Sequence, residues 1–436
     1  MEIHTIGGYE KVGKNMTAIE ADGKIIIFDM GADMEKVIEH EENLEDMRTV
    51  EAIGSKVVPD DSEIKNNHRE DVAAIVVGHG HQDHSLAISK LAGAYDCPII
   101  GTPYTCDLIE RFIRNDEENV NNEIVRMNPG ETYQFSEELE LEFVHITHSI
   151  PQSVISFLRT SDGNLVYSLD FKLDKEPTLG PTVDYDRLKE LGEEGVRAYI
   201  VDCTRADEPG RTRSEARTRE ELEKILTKAY EDKRGVIVTT FSSHIARLNN
   251  IIEANKGRRE IVMIGRSLRE YTKDAEGRGL INLSGIRVVS YREEVENTLK
   301  EVSRNKENYL LVVTGNQGEP NAVLSRIARD EYPYSIGDGD VVVFSSVAIP
   351  TPTNELNRKY IERMISQKGA KVETDIHSHG HARKEGHRDM MQMLKPETVI
   401  PAHGGKEKKS ACASLAREEG IESIQVSSNR GKLVLD

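Results

Sequence analysis

Apolar and polar residues follow two different rhythms along this chain. Up to about residue 205 short apolar runs predominate. "MTAIEADGKIIIFDMG" (16–31) reads as two strands joined at "ADGK", where Asp-Gly suits a hairpin turn. "AAIVV" (73–77) reads as a buried strand. "CPIIGT" (97–102), "LELEFVHITHS" (139–149), "SVISFLRT" (153–160) and "GNLVYSLDF" (163–171) follow, several of them bounded by Gly, Pro, Asn or Asp. Helical spacing intervenes in places, as in "SLAISKLAGAY" (85–95). Strands with few helices predict an α/β sandwich of sheets rather than a doubly wound sheet. Residues 35–71 are densely charged and show no strand pattern, which predicts an exposed insertion of a helix and a long loop.

From about residue 215 helix and strand alternate strictly. "RTREELEKILTKAYEDK" (217–233) has helical spacing and "GVIVTTF" (235–241) is a strand. "HIARLNNIIEANK" with "EIVMIG", "SLREYTKDAEGRG" with "NYLLVVTGN", and "AVLSRIARDE" with "DVVVFSS" repeat the pair. Such alternation predicts a parallel sheet covered by helices, hence a second domain. Histidine-bearing strand ends then return in "KVETDIHSHGHA" (371–382) and "ETVIPAHGG" (397–405). If they join the earlier histidines in one site, the second domain is an insertion. The expected division is 1–205 and 360–436 for the first domain and 206–359 for the inserted one. No internal repeat or low-complexity tract is visible.

Composition narrows the class. With 436 residues, 37% hydrophobic, the chain has room for more than one core. No run of about 18 apolar residues is long enough to span a membrane. "MEIHTIGGYEKVG" lacks the charged-then-apolar pattern of a signal peptide. The four cysteines are scattered, so no zinc ribbon or disulfide framework is expected, and a reducing cytoplasm fits. The net charge of −19 weighs against a nucleic-acid partner, although a local basic groove can sit on an acidic body.

The densest chemistry is "VVGHGHQDH", which sets His79, His81, Asp83 and His84 directly after a buried strand. Any one of these residues alone would be an ordinary polar turn residue. Together, imidazoles and a carboxylate form a donor set for zinc, or for manganese if oxygen-rich. His148 in "ITHSIPQS", Asp170 in "YSLDF" and His403 in "IPAHGG" are further candidates at strand ends. Of the 14 histidines, His4, His40, His68 and His387 carry no motif and are expected to be solvated. His145 is expected to be a strand residue.

Taken in order, these residues resemble the successive motifs of the metallo-β-lactamase superfamily. The resemblance implies an αββα sandwich holding two zinc ions, or manganese. One ion would take His79, His81, His148 and Asp170; the other would take Asp83, His84, Asp170 and His403, with Asp170 bridging. Asp29 in "IIIFDMG" resembles an aspartate that supports a ligand. The inserted parallel-sheet domain resembles that of the β-CASP nucleases. Asp202 in "YIVDCT", His381 in "SHGHA" and His403 match the landmarks of that subgroup. "THSIPQS", "TGNQGEP", "VFSSVAIP" and "KPETVIPAHGG" are most similar to the shorter archaeal ribonuclease J proteins. Two departures stand out. His379 occupies the position of a usual serine, and the chain ends soon after "KLVLD", without the extra C-terminal domain of bacterial members. Nor does the chain show the N-terminal KH domains of archaeal cleavage-factor relatives.

The resemblance implies a cytoplasmic, homodimeric, metal-dependent ribonuclease acting on single-stranded RNA. It would be chiefly 5′-to-3′ and prefer a 5′-monophosphate, and it could also cut internally. Two ions would activate water for attack on the phosphodiester. Asp83 would orient that water or accept its proton. His381 would stabilise the phosphate or protonate the leaving oxygen. Asp202 would orient His381, or else cap a loop at a strand end. Ser243, His244, Ser346, His377 and His379 are candidates for holding the terminal phosphate, although N-capping is the commoner use of such serines. The run of Arg211, Arg213, Arg217 and Arg219 suits RNA phosphates and equally suits a solvated helix start. A DNA-directed member, a small-molecule metallohydrolase and an inactive binding subunit remain the competing readings.

Overall fold

The structure, a computed structural model, describes residues 1–39, 44–349 and 351–435. It forms two compact units. One comprises Met1–Asp174, Thr182–Thr212 and Gly380–Asp436; the other comprises Lys175–Pro181 and Arg213–His379. His40, expected to be solvated, lies outside the described residues.

The first unit is built on two seven-stranded sheets. In one, the strands Gly431–Val434, Glu2–Gly7, Met16–Ala21, Lys24–Phe28, Val72–Val77, Ile99–Gly101 and Ile124–Arg126 lie side by side. In the other the order is Ser423–Ile424, Thr398–Ala402, Ala198–Asp202, Leu165–Ser168, Val154–Arg159, Glu140–His145 and Thr132–Gln134. The "ADGK" turn is as its chemistry requires. Asp22 and Gly23 both adopt positive φ (50° and 70°), and Ala21 pairs with Lys24 across it.

Alternation along each strand sorts side chains between layers. Ile26, Phe28, Ala74 and Val76 of the first sheet meet Leu141, Phe143, Leu165, Tyr167 and Ile200 of the second in one core. Val166, Tyr199, Val201 and Val399 point the other way. They pack under helices Tyr185–Glu194, Lys384–Leu394 and Lys406–Glu418 through Leu188, Met390, Leu394 and Leu415. The result is the αββα sandwich.

The second unit carries a six-stranded, all-parallel sheet in the order Arg287–Val289, Glu260–Ile264, Tyr309–Val313, Val236–Thr239, Val341–Phe344 and Lys371–Glu373. Its four central strands are nearly continuous apolar, buried runs, as in a parallel sheet covered on both faces, whereas the edge strands Arg287–Val289 and Lys371–Glu373 carry charge.

Two expectations are corrected. Residues 35–71 are not one helix and a long loop. They contain the short helices Met34–Glu39, Thr49–Gly54 and Ser62–Asn67, and they bury Leu44, Met47, Ala52, Val57, Val58 and Ile64. These anchors are spaced too widely among charges to show a period. His4 and His387 are not solvated either; they are 2% and 0% exposed. His387 sets its ring edge against Phe171 at 5.2 Å, and His4 lies on strand Glu2–Gly7 beside Glu63 of the helix Ser62–Asn67.

Candidate metal centre

Five strand ends of the first unit bring the candidate residues together. Asp29 follows Lys24–Phe28, and His79 to His84 follow Val72–Val77, the parallel neighbour of that strand. Asp170 follows Leu165–Ser168, Asp202 ends Ala198–Asp202, and His403 follows Thr398–Ala402; these three strands are mutually parallel. Carboxyl ends of neighbouring parallel strands thus open on one edge, where α/β folds place their ligand sites. Asp29, Asp170 and His403 each turn off their strand at positive φ (60°, 54° and 55°). Such backbone is costly for residues other than glycine, and it is tolerated where it aims a side chain into a site.

The donors form two sets. His79, His81, His148 and Asp170 place one ligand atom each within 4.8 Å of one another, and Asp83, His84, Asp170 and His403 do the same. Asp170 divides between them. Its Oδ2 lies 3.4 Å from His79 Nε2 and 3.5 Å from His148 Nε2. Its Oδ1 lies 3.3 Å from His84 Nε2 and 3.2 Å from His403 Nε2. His81 presents Nδ1, 3.1 Å from the Nε2 atoms of both His79 and His148. Asp83 Oδ2 stands 3.7 Å from His84 Nε2 and from His403 Nε2. Four donors at about 2.0–2.1 Å from a tetrahedral ion are roughly 3.3–3.4 Å apart, so this spacing fits zinc-type coordination. Asp170 Oδ1 and His403 Nε2 are buried with no hydrogen-bond partner, which also suits donors facing a cation.

The opposite ring nitrogens are held. His84 Nδ1 donates to Asp29 Oδ2 at 2.8 Å, an oxygen that also accepts from Tyr167 Oη at 2.9 Å. His148 Nδ1 donates to Gly380 O, and His403 Nδ1 donates to Asn15 Oδ1, both at 2.8 Å. These bonds fix the tautomers that turn Nε2 toward the centre, where Asn15 Nδ2 also meets His84 Nε2 at 3.1 Å. Glycine is required at two places. A Cβ on Gly31 would overlap Asp83 O, and one on Gly380 would stand 2.5 Å from His148 Cε1.

Electrostatics follow from burial and from Asp170. Burial pushes His81 and His148 well below the ordinary imidazole range, and it lowers His79 as well, so these rings are neutral and able to ligate. Burial opposes the Asp170 carboxylate, but His403, His84 and His381 hold it well below the usual range. His84 goes the other way: burial is outweighed by Asp170, Asp29 and Asp83.

His381 stands at the rim. Its Nδ1 donates to Asp202 Oδ2 at 2.9 Å, and its Nε2 lies 3.8 Å from Asp170 Oδ2. Burial disfavours charge on His381, yet Asp170 and Asp202 raise it to about 9; the same pairing outweighs burial and holds Asp202 at about 2. Asp202 Oδ1 also accepts the Thr204 amide at 2.7 Å, so this carboxylate orients the imidazole and fastens its own loop.

The other candidates lie in the second unit. His244, His377 and His379 gather there, with ring centroids at 6.3 Å and 4.6 Å for successive pairs. Buried Arg247 lies beside them, 3.3 Å from His377 Nδ1 and bidentate to Glu215. Ser345 Oγ, rather than Ser346 Oγ, faces Arg247 at 3.0 Å; Ser346 Oγ is buried without a hydrogen-bond partner, and Ser243 sits just ahead of helix Ile245–Asn255. Arg211 pairs with Asp389, and Arg213, Arg217 and Arg219 pair with Glu221, Glu220 and Glu253. That run is charge-balanced.

Sequence reasoning passed over Asn15, Tyr167, Gly380 and Arg247. No motif announces them. Each acts through another residue and could be found only once its partner was placed.

Comparison with known proteins comes from three directions. A family described as ribonuclease J, beta-CASP domain, matches residues 233–364. A Zn-dependent metallo-hydrolase RNA specificity domain matches 369–426, and a beta-lactamase superfamily domain matches 58–192. Ribonuclease J of Pyrococcus abyssi is 46% identical over 424 residues, covering 96% of this chain and 93% of that protein. Ribonuclease J of Methanocaldococcus jannaschii is 42% identical over 425 residues, covering 96% and 95%. The crystal structure of a protein of unknown function from Enterococcus faecalis V583 superposes with a TM-score of 0.69 at 17% identity. It covers 100% of this chain and 99% of that one, and it supports the fold alone.

Proposed function

The chain belongs to the ribonuclease J family of metallo-β-lactamase hydrolases, and on that premise we propose that it is a 5′-to-3′ exoribonuclease that prefers 5′-monophosphate RNA. It is a metal-dependent ribonuclease. The direction, the end preference and the use of zinc, with manganese as the other candidate, belong to the proposal. So do a homodimeric state and a cytoplasmic setting. The observation that carries the reading is the pair of four-residue donor sets sharing Asp170, with every position filled. An inactive binding subunit would not need both sets whole.

In this reading His79, His81, His148 and Asp170 hold one ion, and Asp83, His84, Asp170 and His403 hold the other. Bound ions supply Lewis-acid charge and make water acidic enough to attack at neutral pH. Asp83, whose side chain is 20% exposed, takes or orients the proton of the attacking water. Asp202 holds His381 Nδ1 and leaves its Nε2 facing the site, so His381 can steady the scissile phosphate or protonate the leaving oxygen. The terminal phosphate would be met by Ser243, His244, Ser346, His377 and His379. Arg247, in the same cluster, is bidentate to buried Glu215 and reaches His377 Nδ1 at 3.3 Å, so it braces the histidines of this candidate anion site.

The test uses one RNA oligonucleotide labelled at its 3′ end and carrying either a 5′-monophosphate or a 5′-triphosphate. With zinc or manganese the expected product is a 3′-labelled ladder that shortens from the 5′ end, faster for the monophosphate. An Asp83→Ala, His84→Ala variant should leave both RNAs intact. Equal rates on both ends, or internal cuts alone, would overturn the exonuclease reading. Cleavage of DNA in place of RNA would favour a DNA-directed member of the subgroup.

A further inference from the structure

Away from the metal centre, His4 is buried on the first strand. It is 2% exposed, and neither of its ring nitrogens has a hydrogen-bond partner among the described residues. An imidazole carries a donor or an acceptor at each nitrogen in every protonation state, so such burial is costly unless a ligand or water fills the gap. Its Nε2 points toward Glu20, 3.5 Å from Oε2, and that oxygen is also buried and unpartnered.

The strand register explains how the group forms. Glu2 and His4 are two residues apart on one strand and share a face. Glu20 lies directly across from Glu2 on the neighbouring antiparallel strand. Like charges in that position repel. One ligand atom from each of Glu2, His4 and Glu20 lies within 4.8 Å of the others. On the far side of the ring, Glu63 Oε1 stands 3.9 Å from His4 Nδ1. That distance is too long for a hydrogen bond, but it sets a carboxylate on the side of the ring from which ligating histidines are usually supported. A cavity of about 290 Å³ opens beside His4 and is lined also by Asp60, Asp61, Glu63 and Arg430. Lys432 pairs with Glu2, and Arg430 pairs with Asp60.

We propose that Glu2, His4 and Glu20 bind a divalent transition-metal ion of the zinc class, with water from the cavity completing its coordination. Imidazole with carboxylates is a zinc donor set, and three protein ligands leave a position for water. The site's ligands stand on the first two strands, and the last strand, Gly431–Val434, pairs with the first through Lys432 opposite His4. This inference is independent of the ribonuclease reading, since none of its residues touches the metal centre.

The test is zinc stoichiometry on the full chain, stripped with chelator, reloaded with Zn²⁺, desalted and measured by plasma mass spectrometry. His4→Gln and Glu20→Gln should each hold one zinc fewer per chain than the parent, while cleaving RNA within twofold of it. The Glu20 side chain is 34% exposed, so Glu20→Gln keeps the test usable should His4→Gln fold poorly. Zinc should also raise the melting temperature of the parent more than that of either variant. Equal zinc content in the parent and both variants would overturn the proposal and leave water as the partner of His4.

Discussion

Asp170 has the heaviest demands of any single residue. It turns off its strand at positive φ, is 2% exposed, and splits its two oxygens between two donor sets. The candidate donors that the fold brings together were legible in the sequence because a metal site would need particular residue types at strand ends. The residues that hold them were not, since an amide or a carbonyl can be supplied by almost any position. Asn15 is the test of this distinction. Replacing it with Ala should weaken metal binding by roughly 10- to 100-fold, because His403 loses the acceptor that fixes its tautomer. A zinc-competition titration reads this directly, and an unchanged affinity would remove Asn15 from the site. His381→Ala should abolish cleavage with metal content retained, because His381 lies outside the two four-residue donor sets, with its Nε2 3.8 Å from Asp170 Oδ2. The thiols make a plainer case. Burial pushes Cys97, Cys106 and Cys412 up to about 12 and raises Cys203 further. The native protein should therefore resist iodoacetamide at pH 8 and label at all four cysteines only in denaturant.

Elements of strong period were the easiest to read. The strict alternation after residue 215 has one physical solution, a parallel sheet under helices, and the strands of that unit follow it. Residues 35–71 were misread because their stability is not periodic. Lys90 reaches in to donate to the Glu45 carbonyl at 3.2 Å and to Asp116 at 2.7 Å, a tie that no local pattern reveals. A second tie joins helix Tyr185–Glu194 to the sheet edge. Glu142 accepts from Arg187 at 2.7 Å and from Arg159 at 2.7 Å. Burial works against the Glu142 carboxylate, but Arg187 and Arg159 outweigh it and set its pKa below the ordinary glutamate value. A depressed carboxylate adds stability that is present above the unfolded-state pKa and lost as pH falls through the folded one. Glu142→Gln should cost about 1.5–3 kcal/mol at pH 7, and the difference from the parent should shrink below pH 4. Urea melts at the two pH values check this; a penalty that persists in acid would mean that packing, not charge, holds the helix.

For the whole molecule, the two units divide the legible features between them. The first unit carries both donor sets. The second carries the histidine and arginine cluster proposed to meet the terminal phosphate. The net charge of −19 pointed away from nucleic acid, yet the family is one of ribonucleases. Net charge averages over the whole surface, whereas binding depends on local groups, so a strongly acidic total was a poor guide. The central claim is that the Asp170-centred donors hold the ions that cut RNA. The most direct measurement is cleavage of a labelled RNA by the full chain after chelation and after metal is added back, alongside Asp170→Asn treated identically. Cleavage should vanish on chelation, return with zinc or manganese, and stay absent in the variant. Cleavage that survives chelation, or that persists in Asp170→Asn, would contradict the account.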